Sequence, residues 1–156
     1  MRNRGTKQLT VAKPPPGGID LTELPDSPES VDDLLTEARR EAVRLSPRDA
    51  LSATADGAVL IDIRSDAQRA ADGVIPSAVF IPRNVLEWRL DPGSDHRDPE
   101  LARQAARVIL LCNEGYQSSL AAANVRRFGV EATDVIGGFR AWREAGLPVE
   151  LRCHEP

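Results

Sequence analysis

Short, continuous apolar runs alternate with amphipathic segments along most of this chain of 156 residues. The runs at 58–63, 77–81, 107–111 and 133–136 are rich in Val, Ile and Leu and end at glycine, proline or polar residues. Each run is apolar at successive positions, not at alternate ones, which is typical of strands buried on both faces of a sheet. Strands that alternate with helices favour parallel pairing, so the pattern predicts an α/β domain with a mainly parallel central sheet.

Helix start and stop signals lie between these runs. Ser46 as N-cap, with Pro47 at the first helical position, begins one helix, and Gly57 ends it. Capping residues, prolines and glycines predict the other helices of the domain at 65–72, 84–90, 99–106, 118–128 and 138–145.

The chain divides into a tail, an additional helix and one domain. Residues 1–29 are rich in proline and glycine with few apolar residues, so we expect a flexible tail. Residues 30–45 are predicted to form an amphipathic helix that packs on the domain, although docking onto a partner is the alternative. Its apolar stripe consists of Val31, Leu34, Leu35, Ala38, Ala42 and Leu45. Residues 46–152 are assigned to the domain.

The chain has 20 basic and 24 acidic residues, a formal net charge of −4 at pH 7. This balance gives no electrostatic basis for binding nucleic acid or an anionic membrane, and we expect neither as a partner. No apolar run approaches the ~20 residues of a transmembrane helix, and residues 1–18 lack the apolar segment of a signal peptide. With only two cysteines the composition favours a reducing compartment, so we expect a cytoplasmic protein.

Cys112 stands where the apolar run 107–111 meets a polar loop that leads into a helix. Gly115 provides the conformational freedom for a sharp turn in this loop. Successive backbone N–H groups in such a turn form a concave anion site, and the N-terminus of the next helix adds its dipole. The sequence therefore predicts a reactive Cys112, held as thiolate or as an anionic derivative without a separate base. A buried, unreactive cysteine is the simpler alternative.

Other kinds of cysteine or metal site lack the partners that they need. A Cys–His pair has only His96, in a polar loop, and His154, near the C-terminus, as candidates. These histidines and Cys153 do not have the spacing of zinc ligands, and no metal site is predicted. A thioredoxin-like pair and a glycine-rich phosphate loop are both absent from the sequence.

The loop also differs from that of a cysteine phosphatase. Such enzymes hold an anion between a strand and a helix, with an arginine six residues after the cysteine to bind phosphate bidentately. Ser118 occupies that position here, and residues 113–118 contain no arginine. The sequence therefore argues against phosphatase activity.

Three segments, in the right order, resemble the signatures of the rhodanese-like (sulfurtransferase) domain family. Its first signature, with a strand, Asp-x-Arg and a short helix, resembles VLIDIRSDAQRAADGVIPSAVFIP at 59–82. Its active-site segment resembles VILLCNEGYQSS at 108–119, and its closing signature resembles VIGGFRAWREAGLPV at 135–149. The resemblance spans about 46–150 and implies a rhodanese-like three-layer α/β/α fold.

The resemblance implies that Cys112 is the catalytic nucleophile and carries a persulfide. A small donor such as mercaptopyruvate, thiosulfate or another persulfide would supply the sulfur. Cyanide, a small thiol or a protein thiol would accept it, and no cofactor is implied. The cradle for the outer sulfur would consist of the loop residues and the start of the helix: Asn113, Glu114, Gly115, Tyr116, Gln117 and Ser118.

The loop departs from that of thiosulfate-using family members, which often carry Arg or Lys there. Glu114 would repel a second negative charge at ~5–6 Å by roughly 3 kcal/mol at an effective dielectric constant near 20, before salt screening. A dianionic donor is therefore disfavoured unless Arg64 or Arg83 reaches in from neighbouring strand ends. Asp62 and Arg64 are candidates either for substrate binding or for an ion pair that braces the loop.

Rhodanese-like domains also serve as binding or regulatory modules. A non-catalytic module and a thiol redox sensor are therefore alternatives to a sulfurtransferase. Cys153 is either a resolving thiol for Cys112 or incidental. We expect both tryptophans, Trp88 and Trp142, to lie in the core, although Trp88 could alternatively form a wall of the pocket.

Overall fold

The computed structural model describes residues 29–104 and 107–152. At its centre is a four-stranded sheet with the strand order β2-β1-β3-β4. The strands are β1 (Val59–Asp62), β2 (Val79–Phe80), β3 (Val108–Leu111) and β4 (Ala132–Asp134). All three pairings between these strands are parallel, so the predicted parallel α/β architecture is confirmed.

Helices cover both faces of this sheet. The α-helices of the described residues are α1 (Val31–Arg40), α2 (Pro47–Ala55), α3 (Asp66–Asp72), α4 (Leu86–Leu90), α5 (Pro99–Gln104), α6 (Gln117–Arg126) and α7 (Gly138–Glu144). A short 3₁₀ turn, Arg83–Val85, precedes α4. Ser46 and Ser65 cap α2 and α3 as the sequence predicts, and the strand ends lie within two residues of their predicted positions.

The core has two parts, one on each face of the sheet, because successive side chains of a strand point to opposite faces. Ile61 and Leu110 pack with residues of α4 and α6 on one face. Leu60 and Ile109 pack with residues of α2 and α7 on the other. The predicted three-layer arrangement is thus confirmed.

The two tryptophans lie in different environments. Trp142 in α7 is fully buried, and its indole nitrogen donates to the carbonyl of Pro148 at 3.0 Å. Trp88 in α4 is 56% exposed, so the prediction that it lies in the core is wrong. The short α4 buries Leu86 and Leu90, four positions apart, and turns Trp88 to the opposite side.

The N-terminal helix is shorter than predicted. Its N-cap is Ser30, whose backbone N–H and hydroxyl bind the Asp33 carboxylate and hold the pKa of that group below its usual value, but the helix ends at Arg40. The predicted continuation to Leu45 is wrong, because Leu45 lies beside Val135 in a parallel bridge at the edge of the sheet. Leu35 and Ala38 are the buried residues of α1, which packs on α6.

Most of the predicted flexible tail, as well as Cys153 and His154, lies outside the described residues. Among the residues that the structure does describe, no helix is long and apolar enough to cross a membrane.

Candidate active site

Cys112 follows the last residue of β3, at the carboxyl edge of the sheet, and is only 5% exposed. Its sulfur accepts a hydrogen bond from the Gly115 N–H at 3.1 Å and one from the Ser118 N–H at 3.4 Å. The second donor belongs to the first turn of α6, where backbone N–H groups have no partner within the helix. The loop and the start of α6 therefore direct backbone N–H groups at the sulfur, as predicted from the sequence.

Two glycines allow the loop to lie this close to the rest of the protein. Gly115 has φ +83°, and a Cβ there would lie 2.7 Å from the backbone nitrogen of Gly137. Gly138 begins α7 with φ +60°, and a Cβ there would lie 2.8 Å from the backbone of Asn113 and of Glu114. Any larger residue at either position would displace the loop.

The N-terminus of α7 holds the other side of the loop. The Phe139 N–H donates to the Cys112 carbonyl at 2.8 Å, and the Arg140 N–H donates to the Asn113 carbonyl at 3.1 Å. These bonds turn the loop's carbonyl groups towards α7, while its N–H groups point at the sulfur. Gly138, the second glycine of the closing segment, thus allows α7 to lie against the loop.

A cavity of about 370 Å³ opens above Cys112. Of the residues expected at the site, Cys112, Arg64, Asn113, Glu114, Tyr116 and Gln117 line it together. Gln68 of α3 and Arg140 of α7 also line it, and neither was predicted from the sequence. Gly115 and Ser118 lie behind the sulfur, where both are buried.

Asp62 and Arg64 form a buried ion pair beneath the cavity, with 1% and 2% exposure. Arg64 Nε lies 3.0 Å from Asp62 Oδ1, and Nη2 lies 2.8 Å from Oδ2. The guanidinium also stacks on the Phe139 ring, 3.7 Å from its centre. Its remaining nitrogen, Nη1, is buried and has no hydrogen-bond partner among the described residues, so Arg64 has the geometry of a residue that braces the loop.

Arg83, the other candidate arginine, does not line the cavity. It pairs with Glu87 at 2.7 Å, four residues along the chain. Arg83 was a possible site residue, with an ordinary surface charge as the alternative, and the structure places it outside the cavity because the turn after β2 directs this side chain along α4.

Glu114 is paired at the mouth of the cavity. Its carboxylate makes a salt bridge with Arg140, and the two side chains are 47% and 58% exposed. The repulsion of anions expected from Glu114 alone is therefore reduced by a cation that the sequence analysis did not assign to the site.

A second polar layer lies behind the loop. Ser118 Oγ lies 3.2 Å from the Cys112 sulfur and donates to Asp134 Oδ2 at 2.7 Å. Arg44 binds both carboxylate oxygens of Asp134, and it also donates to the Gly115 carbonyl at 2.8 Å. Arg39 of α1 donates to the same carbonyl at 2.9 Å.

Sequence reasoning missed Asp134, Arg39, Arg44 and Arg140. Only Asp134 had a usable signal, since it ends a parallel strand at the edge where ligands bind. The arginines contact the loop across long separations in sequence, and nothing in their local patterns indicates it.

A family model described as the rhodanese-like domain matches residues 46–145. Arg39 and Arg44 precede this match, although both bind the loop that follows Cys112.

Several solved structures are similar to this chain. A protein of unknown function from Rhodopseudomonas palustris, described as a possible tyrosine phosphatase, is 30% identical with a TM-score of 0.73; the match covers 81% of this chain and 99% of that one. A thiosulfate sulfurtransferase from Pseudomonas aeruginosa is 26% identical with a TM-score of 0.57, over 71% of this chain and 20% of that one. A human single-domain sulfurtransferase is 27% identical with a TM-score of 0.53, over 66% of this chain and 96% of that one.

Proposed function

Because this chain belongs to the rhodanese-like domain family, we propose that it is a sulfurtransferase that carries sulfane sulfur as a persulfide on Cys112. The observation that carries the proposal is the pair of backbone N–H groups, from Gly115 and Ser118, directed at the Cys112 sulfur. Such donors favour an anionic sulfur, either the attacking thiolate or the terminal sulfur of a persulfide.

The proposed cycle has two sulfur transfers. With a persulfide donor, Cys–SH and R–S–S⁻ give Cys–S–S⁻ and R–SH: the new bond joins Cys112 to the outer sulfur, the donor's S–S bond breaks, and the thiol proton leaves with the R–S group. An acceptor such as cyanide then attacks the outer sulfur, which gives thiocyanate and returns the Cys112 thiolate. A small thiol or a protein thiol is an alternative acceptor.

The charges around the cavity are paired, so they do not exclude a small donor with an anionic group. Arg64 is paired with Asp62 beneath the cavity, and Arg140 offsets the charge of Glu114 at the mouth. Mercaptopyruvate, thiosulfate and a small-molecule persulfide all carry such a group. Because the Glu114–Arg140 pair is half-exposed, it weakens the expected bias against thiosulfate without reversing it.

Phosphatase activity is the second candidate, since one similar protein is described as a possible tyrosine phosphatase. The position six residues after Cys112 argues against it. Ser118 stands there with its hydroxyl bonded to Asp134, so no guanidinium is available at that position to hold phosphate.

Incubation of the reduced protein with each donor, followed by intact-mass measurement, tests the proposal. Mercaptopyruvate, thiosulfate and glutathione persulfide are used separately, beside the Cys112→Ser and Cys153→Ser variants. We expect a gain of one sulfur, about 32 Da, in the parent and in Cys153→Ser but not in Cys112→Ser, and its loss on addition of cyanide.

If no donor adds sulfur while iodoacetamide still modifies Cys112 in the folded protein, the proposal is wrong and a non-catalytic binding or regulatory module is favoured. Formation of sulfenic acid at Cys112 under mild peroxide, without any persulfide, would favour a redox sensor. Release of phosphate from p-nitrophenyl phosphate that depends on Cys112 would favour a phosphatase.

A further inference from the structure

The Asp134 carboxylate lies behind the active-site loop, is 2% exposed, and accepts hydrogen bonds from three side chains. Ser118 Oγ and Ser119 Oγ lie 2.7 Å and 2.9 Å from its Oδ2. Arg44 Nε lies 2.8 Å from Oδ1, and Arg44 Nη2 lies 3.1 Å from Oδ2. Of these three partners Ser118 is the one that also contacts the Cys112 sulfur, so it connects the carboxylate to the nucleophile.

The direction of the Ser118 hydroxyl follows from the chemistry of its two neighbours. A serine hydroxyl has one proton, and an ionised carboxylate can only accept, so the Ser118 proton points at Asp134. The lone pairs of Ser118 Oγ therefore face the Cys112 sulfur, 3.2 Å away. In this arrangement the Cys112 thiol can donate its proton to Ser118 Oγ. A thiolate would instead face the lone pairs of Ser118 Oγ, unless the Ser118 hydroxyl turned from Asp134 to donate to the sulfur.

We propose that Asp134 is a positioning residue that fixes Ser118 as a hydrogen-bond acceptor and thereby favours the protonated thiol of Cys112 in the resting protein. It opposes the Gly115 and Ser118 N–H groups, which favour the thiolate. The balance keeps the proton close to the sulfur until a donor arrives. Under the proposed function, on which this consequence rests, that proton then leaves with the R–S group of the donor.

Other charged groups surround the site from each neighbouring element. Arg44 neutralises Asp134 directly, and Arg39 of α1 reaches the Gly115 carbonyl and Ser119. On the cavity side are Arg64, which Asp62 neutralises, and the pair of Glu114 with Arg140. Each of these carboxylates is paired with an arginine, which reduces its long-range electrostatic effect on the sulfur. The hydrogen bonds of the Ser118 hydroxyl are therefore the most direct way in which Asp134 affects the Cys112 thiol.

The test measures the rate of Cys112 alkylation by iodoacetamide, an uncharged reagent, as a function of pH and without any sulfur donor. A Cys153→Ser background leaves Cys112 as the only thiol. We expect Asp134→Asn to lower the midpoint of the pH profile by about one pH unit, because Ser118 is then free to donate to the thiolate. Ser119→Ala is the matched control, since Ser119 binds the same carboxylate oxygen, and we expect a shift below about 0.3 unit.

Ser118→Ala tests the same inference without a change of buried charge, and it keeps the backbone N–H. If Ser118 accepts from the thiol, its removal lowers the midpoint, and adding Asp134→Asn to it has a smaller effect than Asp134→Asn alone. If Ser118 instead donates to the thiolate, Ser118→Ala raises the midpoint.

A raised or unchanged midpoint in Ser118→Ala would overturn the inference, as would an unchanged or raised midpoint in folded Asp134→Asn. Circular dichroism and urea unfolding establish that each variant is folded before its profile is used. Because the measurement uses the free thiol alone, it can succeed even if no donor adds sulfur to Cys112, so the two proposals fail independently.

Discussion

At the scale of single residues, the mouth of the cavity is controlled by one acidic and one basic side chain. Glu114 belongs to the loop itself, while Arg140 comes from α7, whose N-terminus holds the loop carbonyls. Both side chains are about half-exposed, so solvent and salt screen them. Their effect should therefore be on how fast charged reagents enter, and not on the stability of the fold.

Arg140→Gln should slow alkylation of Cys112 by anionic iodoacetate relative to neutral iodoacetamide, and Glu114→Gln should do the opposite. At ~6 Å in water one charge changes the interaction by about 0.7 kcal/mol, so each ratio should change about threefold at low salt. The ratio of the two rate constants is the measured quantity. Equal ratios in parent and variants, or a difference that persists in 1 M salt, would contradict this electrostatic explanation.

The sequence allowed Glu114, Cys112 and Gly115 to be placed in one loop because they are contiguous. It did not allow Arg140 to be paired with Glu114, since that contact depends on how α7 meets the loop. Arg83 shows the opposite error of prediction from sequence, since it was a candidate for the site but does not line the cavity. Its place after a strand suggested the site, but the pairing with Glu87 was decided by the local turn.

At the scale of elements, α1 and the segment that follows it support the loop from outside the matched domain. Arg39 Nη2 donates to the Gly115 carbonyl, and its Nε donates to Ser119 Oγ at 3.0 Å. Arg44 reaches the same carbonyl, because Leu45 is fixed beside Val135 at the sheet edge. The amphipathic pattern correctly predicted helix α1, but it did not predict the strand-like pairing of Leu45 with Val135 that follows the helix.

Arg39→Ala should destabilise the protein by about 1–2 kcal/mol, because it removes two hydrogen bonds from a charged group to partly buried acceptors. Its neighbour Arg40 is the control. Arg40 pairs only with exposed Glu37 among the described contacts, so Arg40→Ala should change stability by less than about 0.5 kcal/mol. Urea unfolding measures both values, and faster amide exchange at Gly115 should accompany only the first.

Equal destabilisation by the two substitutions, or no change in exchange at Gly115, would show that α1 merely packs on α6. The same experiment therefore separates a packing role of this helix from support of the loop.

At the scale of the whole molecule, the parallel sheet brings the residues of the candidate site to one edge. Asp62, Cys112 and Asp134 stand at or just after the carboxyl ends of β1, β3 and β4. The sequence predicted this edge, since ligands of parallel sheets bind there. The strand order and the pairing of Arg44 with Asp134 were not predictable, because they depend on contacts between distant segments. The pairing of Asp62 with Arg64, two residues apart, was one of the predicted alternatives.

The two tryptophans should differ in how strongly a solvent quencher reduces their fluorescence in the native protein. Trp88 is 56% exposed and Trp142 fully buried, so Trp88→Phe should remove most acrylamide quenching of the native protein while changing stability by less than about 0.5 kcal/mol. The remaining emission of Trp142 should shift to longer wavelength only with global unfolding. Strong quenching of native Trp88→Phe would contradict the buried position of Trp142.

The contact of Arg39 and Arg44 with the Gly115 carbonyl has a consequence for how this domain can be exchanged between proteins. The family match begins at residue 46, but a gene fragment cut there would carry the buried Asp134 carboxylate without its counter-charge, Arg44. The transferable module therefore begins near residue 30. Recombination or grafting at residue 46 should give a chain that keeps the three family signatures but has a less stable loop after Cys112.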